Sequence, residues 1–323
     1  MSSKNPKRSG NPARRAAAGH LIAAGERPRI TWRDWVRGAR IRTLPLAIAP
    51  VVVGSGIAHM VHGFSLTLAL LALAVALLLQ IGVNYANDYS DGIRGTDEAR
   101  VGPVRLVGQR LAAPSNVKAA AMLSFAAAAM AGLALVGLSE AWIMLPLGAL
   151  SVLAAWRYTG GDNPYGYRGL GEVYVFVFFG LMATLGTLYT QADAVSWFGL
   201  IGAIGVGALA SAILVANNLR DIPTDIEHGK RTLAVRLGDA RTRTLYVALF
   251  TASVVALGAM AWFEPWALLG LLAVPLGLKA VRTVRAGTTG RELIPVLAAT
   301  GLYEVAYAVL IALGVVIGVA IAT

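Results

Sequence analysis

Cysteine is absent from all 323 residues, which excludes disulfides, thiolate metal sites and prenyl or palmitoyl anchors. Charge is scarce: 14% of residues against 57% hydrophobic, too apolar a balance for an ordinary soluble domain. Acid is scarcer than base, leaving a net charge of +11 that would suggest nucleic acid if it gathered on one surface. It does not. All 28 Lys and Arg fall in the N-terminal segment or in alternate loops between apolar runs, and the intervening loops have none. Positive charge is retained on the cytoplasmic side during insertion, so this pattern predicts a cytoplasmic N-terminus, an outer C-terminus and no nucleic-acid partner. The first stretch also lacks a signal-peptide apolar core. Residues 1–30 read as a disordered basic cytoplasmic tail and 31–323 as one transmembrane domain.

What the chain has in quantity is long apolar runs. About 20 such residues cross a bilayer as a helix. Runs near 43–62, 64–86, 117–138, 141–157, 171–190, 196–217, 242–263, 266–284 and 293–322 predict an all-α polytopic protein of about nine spans in the lipid bilayer. Trp32, Trp35, Trp142, Trp197, Trp262 and Trp266 lie at or just outside run ends, as an interfacial belt requires.

Ionisable groups that survive at membrane depth cluster at the inner ends of the second and sixth spans. The first cluster reads Asn84-Tyr-Ala-Asn87-Asp88-Tyr-Ser-Asp91-Gly-Ile-Arg94-Gly-Thr-Asp97, where a helix would put Asn84, Asp88 and Asp91 on one face. The second reads Asn217-Asn218-Leu-Arg220-Asp221-Ile-Pro-Thr-Asp225, followed by Lys230 and Arg231. Pro223 predicts a helix break near Asp221, with Asp225 in a turn or a new helical start. The bland alternative is a set of solvated loop charges. Both clusters, however, sit at helix C-termini, where the macrodipole disfavours an anion by about 0.3–1 kcal/mol. A hard divalent cation bridging to phosphate relieves the repulsion, and magnesium normally takes one or two carboxylates plus substrate phosphates.

These residues resemble the UbiA superfamily of intramembrane aromatic prenyltransferases, and within it the MenA-type 1,4-dihydroxy-2-naphthoate polyprenyltransferases. Besides the two acidic clusters, the likeness is carried by Ala39-Arg-Ile-Arg42-Thr-Leu-Pro45, Tyr158-Thr-Gly-Gly161, Tyr165-Gly-Tyr-Arg168-Gly-Leu-Gly-Glu172 and Gly229-Lys-Arg-Thr-Leu-Ala-Val-Arg-Leu-Gly238. The resemblance implies magnesium-dependent transfer from polyprenyl diphosphate to the naphthoate with loss of carbon dioxide. It implies metal binding by Asn84, Asp88, Asp91, Asp221 and Asp225, with Asp97 the alternative to Asp91 because Gly95 stands where the general pattern has its next acid. Lys230, Arg94 and Arg231 are implied to stabilise diphosphate, although the positive-inside rule alone supplies such residues. Tyr158 and Tyr165 are candidates to face an allylic cation, or equally to pack at the interface. Arg168 is a candidate partner for the acceptor carboxylate or a topology charge. Asn87, Glu172, Asn217 and Arg220 complete the implied substrate set, and Glu304 is an intramembrane acid without an assigned role.

Two other readings compete. One is a different acceptor within the superfamily: 4-hydroxybenzoate, homogentisate, haem or a sugar phosphate. The other is a cation-coupled transporter, whose paired acids would lie near the midplane instead of at one membrane face.

Overall fold

The computed structural model describes residues 30–96 and 104–322; Asp97 and nearly all of the expected N-terminal tail lie outside them. The described residues are helical, with no strand among them. A short helix α1 (Trp32–Gly38) and a 3-10 turn (Ile41–Thr43) lead into α2 (Pro45–Met60). Then follow α3 (Leu66–Ile93), α4 (Pro114–Ser139), α5 (Met144–Arg157), α6 (Gly171–Ala192), α7 (Trp197–Glu227), α8 (Leu233–Met260), α9 (Pro265–Arg285) and α10 (Gly290–Ala322). A turn of π-helix, Phe176–Met182, lies inside α6.

Each predicted apolar run falls on one of α2 to α10. Seven of these helices are long and apolar enough to cross a membrane alone, and the pair Trp32–Thr43 with Pro45–Met60, bent by 52°, makes an eighth. The ninth, α5, has 14 residues, so it rises only about 21 Å against a hydrocarbon core of about 30 Å. Trp32, Trp142, Trp197 and Trp262 are strongly exposed at element ends, where an interfacial belt would sit.

Helix α7 is the most buried of the long helices, because its glycines and alanines admit close neighbours. A Cβ on Gly180 of α6 would collide with the backbone of Gly207, so the two helices meet main chain to main chain. Pro45 packs beside Gly301, and Ala312 beside Gly56, so α2 and α10 run in the same direction. The start of α2 and the end of α10 therefore lie at opposite ends of the bundle.

One detail follows the helix that the first polar cluster predicted, and one departs from expectation. Helix α3 continues through the polar cluster to Ile93, well past the end of its apolar run. Its polar last turns, poor in intrinsic helix formers, are held by tertiary contacts: Tyr85 Oη donates to the Trp35 carbonyl at 2.9 Å, and Asn84 Nδ2 to Ala39 O and Thr43 Oγ1, both at 2.9 Å. Pro223 does not break α7, which runs to Glu227 and keeps Asp221 and Asp225 one helical turn apart. Proline costs a helix one amide donor. Here Thr224 Oγ1 donates to the Asp221 carbonyl at 3.0 Å, and the amides of His228 and Lys230 close the final turns onto Thr224 O and Asp225 O.

Candidate active site

The C-terminal ends of α3 and α7, the bend before α2 and the segment linking α5 to α6 converge at one end of the bundle. Between them lie two cavities. The larger, about 490 Å³, runs up the bundle among α2 to α7 and is lined mostly by apolar side chains. The smaller, about 50 Å³, is polar and includes Asp91, Asp225, Lys230 and Arg105 in its wall. Arg40, Asn87, Tyr158 and Asn217 line both, so the cavities adjoin along that set.

The bend before α2 places Arg40. Its φ of 53° and ψ of 61° are left-handed, a conformation that costs a non-glycine residue of order 1–3 kcal/mol and persists only where the surroundings impose it. The strain falls on a residue that faces both cavities.

Asp91 is held from two sides. Tyr167 Oη donates to its Oδ1 at 2.5 Å, and the buried Lys230 ammonium lies 3.2 Å from the same oxygen. The Lys230 ammonium also sits 4.5 Å from the centre of the Tyr167 ring. Burial first, and the Asp91 charge second, push the Tyr167 hydroxyl well above the usual tyrosine range, so it stays protonated as a donor. Thr232 Oγ1 reaches Asp225 Oδ2 at 3.4 Å, and Thr159 Oγ1 donates to Asn87 Oδ1 at 2.7 Å. Arg94 is exposed and pins the loop after α5 by donating to the carbonyls of Thr159, at 2.5 Å, and Gly161. On the apolar side, Tyr165 stacks on Tyr174 with ring centres 3.8 Å apart, and its hydroxyl donates to Ala154 O at 3.0 Å. Burial foremost, with Tyr158 and Tyr174 nearby, raises the Tyr165 hydroxyl too.

The structure distributes the expected metal set unevenly between the cavities and the protein interior. Asn-x-x-x-Asp occurs in two overlapping registers, Asn84 with Asp88 and Asn87 with Asp91, and the structure turns the second toward the polar cavity. Asp88 lines neither cavity; its oxygens accept the amides of Leu106 at 2.7 Å and Val107 at 3.1 Å. Asn84 faces only the apolar cavity. Asp221 also lines neither. It is buried and clasped by both Nε and Nη2 of Arg220 at 2.7 Å, while the same Nη2 donates to Asn217 Oδ1 at 2.9 Å. Asp225, expected beyond a break, is on the helix and in the cavity wall.

Among the substrate candidates, Asn87, Asn217, Tyr158 and Tyr165 face the cavities, whereas Arg168 and Arg231 are exposed and line neither. Glu172 is buried beside Asn218, which donates to it at 2.9 Å, but it too lies off both walls. Glu304 is fully buried within α10, away from both cavities, and neither carboxyl oxygen has a hydrogen-bond partner. Arg40, Arg105, Tyr167 and Asn218 escaped the sequence reading as site residues. Three of them sit inside the quoted motifs; Arg105 carries no local signal.

The polar cavity collects three cationic side chains, Arg40, Arg105 and Lys230, and two carboxylates, Asp91 and Asp225. Among the described residues this lining carries one more positive than negative side chain, which suits an anion. Among the described residues no three acids or histidines gather into a self-contained metal cage. Two carboxylates with the side-chain oxygens of Asn87 and Asn217 nevertheless fit magnesium, which takes few protein ligands and completes its shell from phosphate and water.

Residues 47–293 match the UbiA prenyltransferase family. A 1,4-dihydroxy-2-naphthoate octaprenyltransferase of Mycobacterium tuberculosis is 58% identical over 282 residues, covering 87% of this chain and 96% of the relative. The enzyme of the same name from Escherichia coli is 41% identical over 271 residues, covering 81% and 86%. Among solved structures, an apo UbiA homolog from Aeropyrum pernix aligns with a TM-score of 0.62 at 17% identity, covering 86% of this chain and 98% of that one. A UbiA homolog from Archaeoglobus fulgidus bound to GPP and Mg2+ aligns at 0.61 and 15%, covering 86% and 99%. At such identities these two likenesses speak for the fold.

Proposed function

This chain belongs to the UbiA prenyltransferase family, and from that membership we propose that it transfers a polyprenyl group from polyprenyl diphosphate to 1,4-dihydroxy-2-naphthoate, with loss of carbon dioxide, giving demethylmenaquinone. The observation that carries this reading is the shared wall of the two cavities. A positively biased polar cavity takes the diphosphate, an apolar chamber takes the tail, and the reacting carbon rests where Tyr158, Arg40, Asn87 and Asn217 line both. The naphthoate acceptor rests on the relatives that carry that substrate in their names.

Asp91 and Asp225, with Asn87 and Asn217, would hold Mg2+, which when bound shields the diphosphate charge as it leaves. Arg40, Arg105 and Lys230 supply fixed positive charge where negative charge develops on the departing oxygens. Tyr167 holds the Asp91 carboxylate in place through its protonated hydroxyl. As the allylic C–O bond breaks, its electron pair leaves with the diphosphate. The faces of Tyr158 and Tyr165, backed by Tyr174, flank the resulting cation. The acceptor ring carbon bearing the carboxylate attacks it, and carbon dioxide leaves as the ring regains its aromaticity. The apolar chamber keeps water from the cation.

In this reading the protein is a multi-pass protein of the cell membrane. The end carrying the site faces the cytoplasm, since the segments that meet there carry Arg157, Arg168 and Arg231, and residues 1–30 form a tail on the same side.

The test is an acceptor panel. Purified protein in lipid nanodiscs, with a polyprenyl diphosphate and magnesium, is expected to prenylate 1,4-dihydroxy-2-naphthoate and release one carbon dioxide per product. Comparable turnover of 4-hydroxybenzoate or homogentisate would move the assignment to another reaction of the family, and no product with any acceptor would refute it.

A further inference from the structure

Asp88 lies one residue from Asn87, yet it has no share in either cavity and is 0% exposed. Both of its oxygens are spent on main chain outside its own helix: Oδ2 on the Leu106 amide at 2.7 Å and Oδ1 on the Val107 amide at 3.1 Å. The backbone they receive is wedged into the bundle end. Leu106, fully buried, fills the space over Gly38 and against the Tyr85 ring; a Cβ at Gly38 would approach Leu106 Cδ1 to 2.8 Å. Val107 sits over Gly92 of α3. The segment then folds on itself, with the amides of Leu111 and Ala112 donating to Leu106 O at 2.8 and 2.9 Å. The residue just before the clamped pair is Arg105, whose side chain is buried in the wall of the polar cavity opposite the acids of α3 and α7.

We propose that Asp88 is a positioning residue: it clamps the backbone at Leu106 and Val107 and so sets Arg105 against the diphosphate, and it does not ligate the metal. A carboxylate accepting two main-chain N–H groups is a strong, directional anchor. Releasing it to bind a cation would strand two buried donors. The short spacing within Asn87-Asp88-x-x-Asp91 thus serves two tasks from one helix. Asn87 and Asp91 point at the ligand, and Asp88 points at the segment that carries a cation to it.

The inference rests on the diphosphate reading above, and its test separates the two. Affinity for a non-reactive prenyl thiodiphosphate is measured with magnesium and in EDTA for wild type, Asp88→Asn, Arg105→Gln, the double variant and Asp91→Asn. Asp88→Asn and Arg105→Gln are each expected to weaken binding about tenfold, by the same factor with and without magnesium. The double variant is expected to be no weaker than Arg105→Gln alone, since the first residue acts through the second. Asp91→Asn is expected to erase the gain that magnesium gives. If Asp88→Asn also erases that gain, or if its effect multiplies with that of Arg105→Gln, the proposal is overturned. Absence of analogue binding in wild type refutes the diphosphate reading instead.

A second measurement needs no substitution. Amide hydrogen exchange at Leu106 and Val107 in wild type is expected to stay slow in EDTA, in magnesium alone and in magnesium with analogue. Faster exchange at these two amides on adding magnesium would show Asp88 drawn away to the metal and would contradict the clamp.

Discussion

Lys230 joins three elements of the polar cavity through one side chain and one amide. It sits 3.2 Å from Asp91, over the Tyr167 ring, and its own amide ties the end of α7 by donating to Asp225 O at 2.8 Å. Replacing it by Met keeps the stem and removes the charge, so the amide tie survives. The expected outcome is a loss of about 10²–10³ in kcat, the size typical of removing one transition-state electrostatic contact, together with a lower thermal midpoint, because the buried Asp91 carboxylate loses its cation. Steady-state kinetics beside a melting curve checks both. At this scale the sequence was legible in kind but not in register. Asn84, Asp88 and Asp91 are all buried on α3, but they meet different surroundings: the apolar cavity, the Leu106–Val107 backbone and the polar cavity. Their spacing could not say that Asp88 would meet the amides of Leu106 and Val107, because those partners arrive from a loop nearly twenty residues downstream. Arg105 was illegible for the same reason: nothing near it in sequence marks it as facing a cavity.

The elements decide what fits beside the polar cavity. The apolar chamber is walled mainly by apolar residues of α2 to α7, and at Gly132 of α4 an added Cβ would meet only Val75 Cγ2, at 3.8 Å. Gly132→Phe therefore intrudes on the chamber without displacing main chain. It is expected to lower kcat/KM for long polyprenyl diphosphates about tenfold or more while leaving geranyl diphosphate within about threefold. A competition assay with mixed chain lengths reads this directly, and equal losses at every length would show that Gly132 does not border the tail. The apolar runs announced each of α2 to α10 as a helix, since hydropathy marks the segments that can face lipid. They did not announce the continuation of α7 through Pro223, because one missing amide bond is outweighed once Thr224 and the amides after Glu227 close the last turns.

Across the whole molecule, one helix pair bears on the topology that the charge pattern predicts. The parallel course of α2 and α10 puts the start of one and the end of the other at opposite ends of the bundle, as the alternation of basic and non-basic loops requires. The absence of cysteine offers a clean test of which face is which. Single substitutions Arg231→Cys and Glu140→Cys, both at exposed positions, are expected to react with a membrane-impermeant maleimide from the cytoplasmic and the outer side respectively. Labelling of both from one side would break the topology.

The proposed role of the carboxylates at the ends of α3 and α7 is joint service in prenyl transfer to a naphthoate. Its most direct measurement is release of labelled carbon dioxide from carboxyl-labelled 1,4-dihydroxy-2-naphthoate by purified wild type, Asp91→Asn and Asp225→Asn, with polyprenyl diphosphate and magnesium. The expected result is stoichiometric release by wild type that depends on the diphosphate, and a fall of about 10³ or more in each variant. Full-rate release by Asp225→Asn, or release that ignores the prenyl donor, would contradict the account.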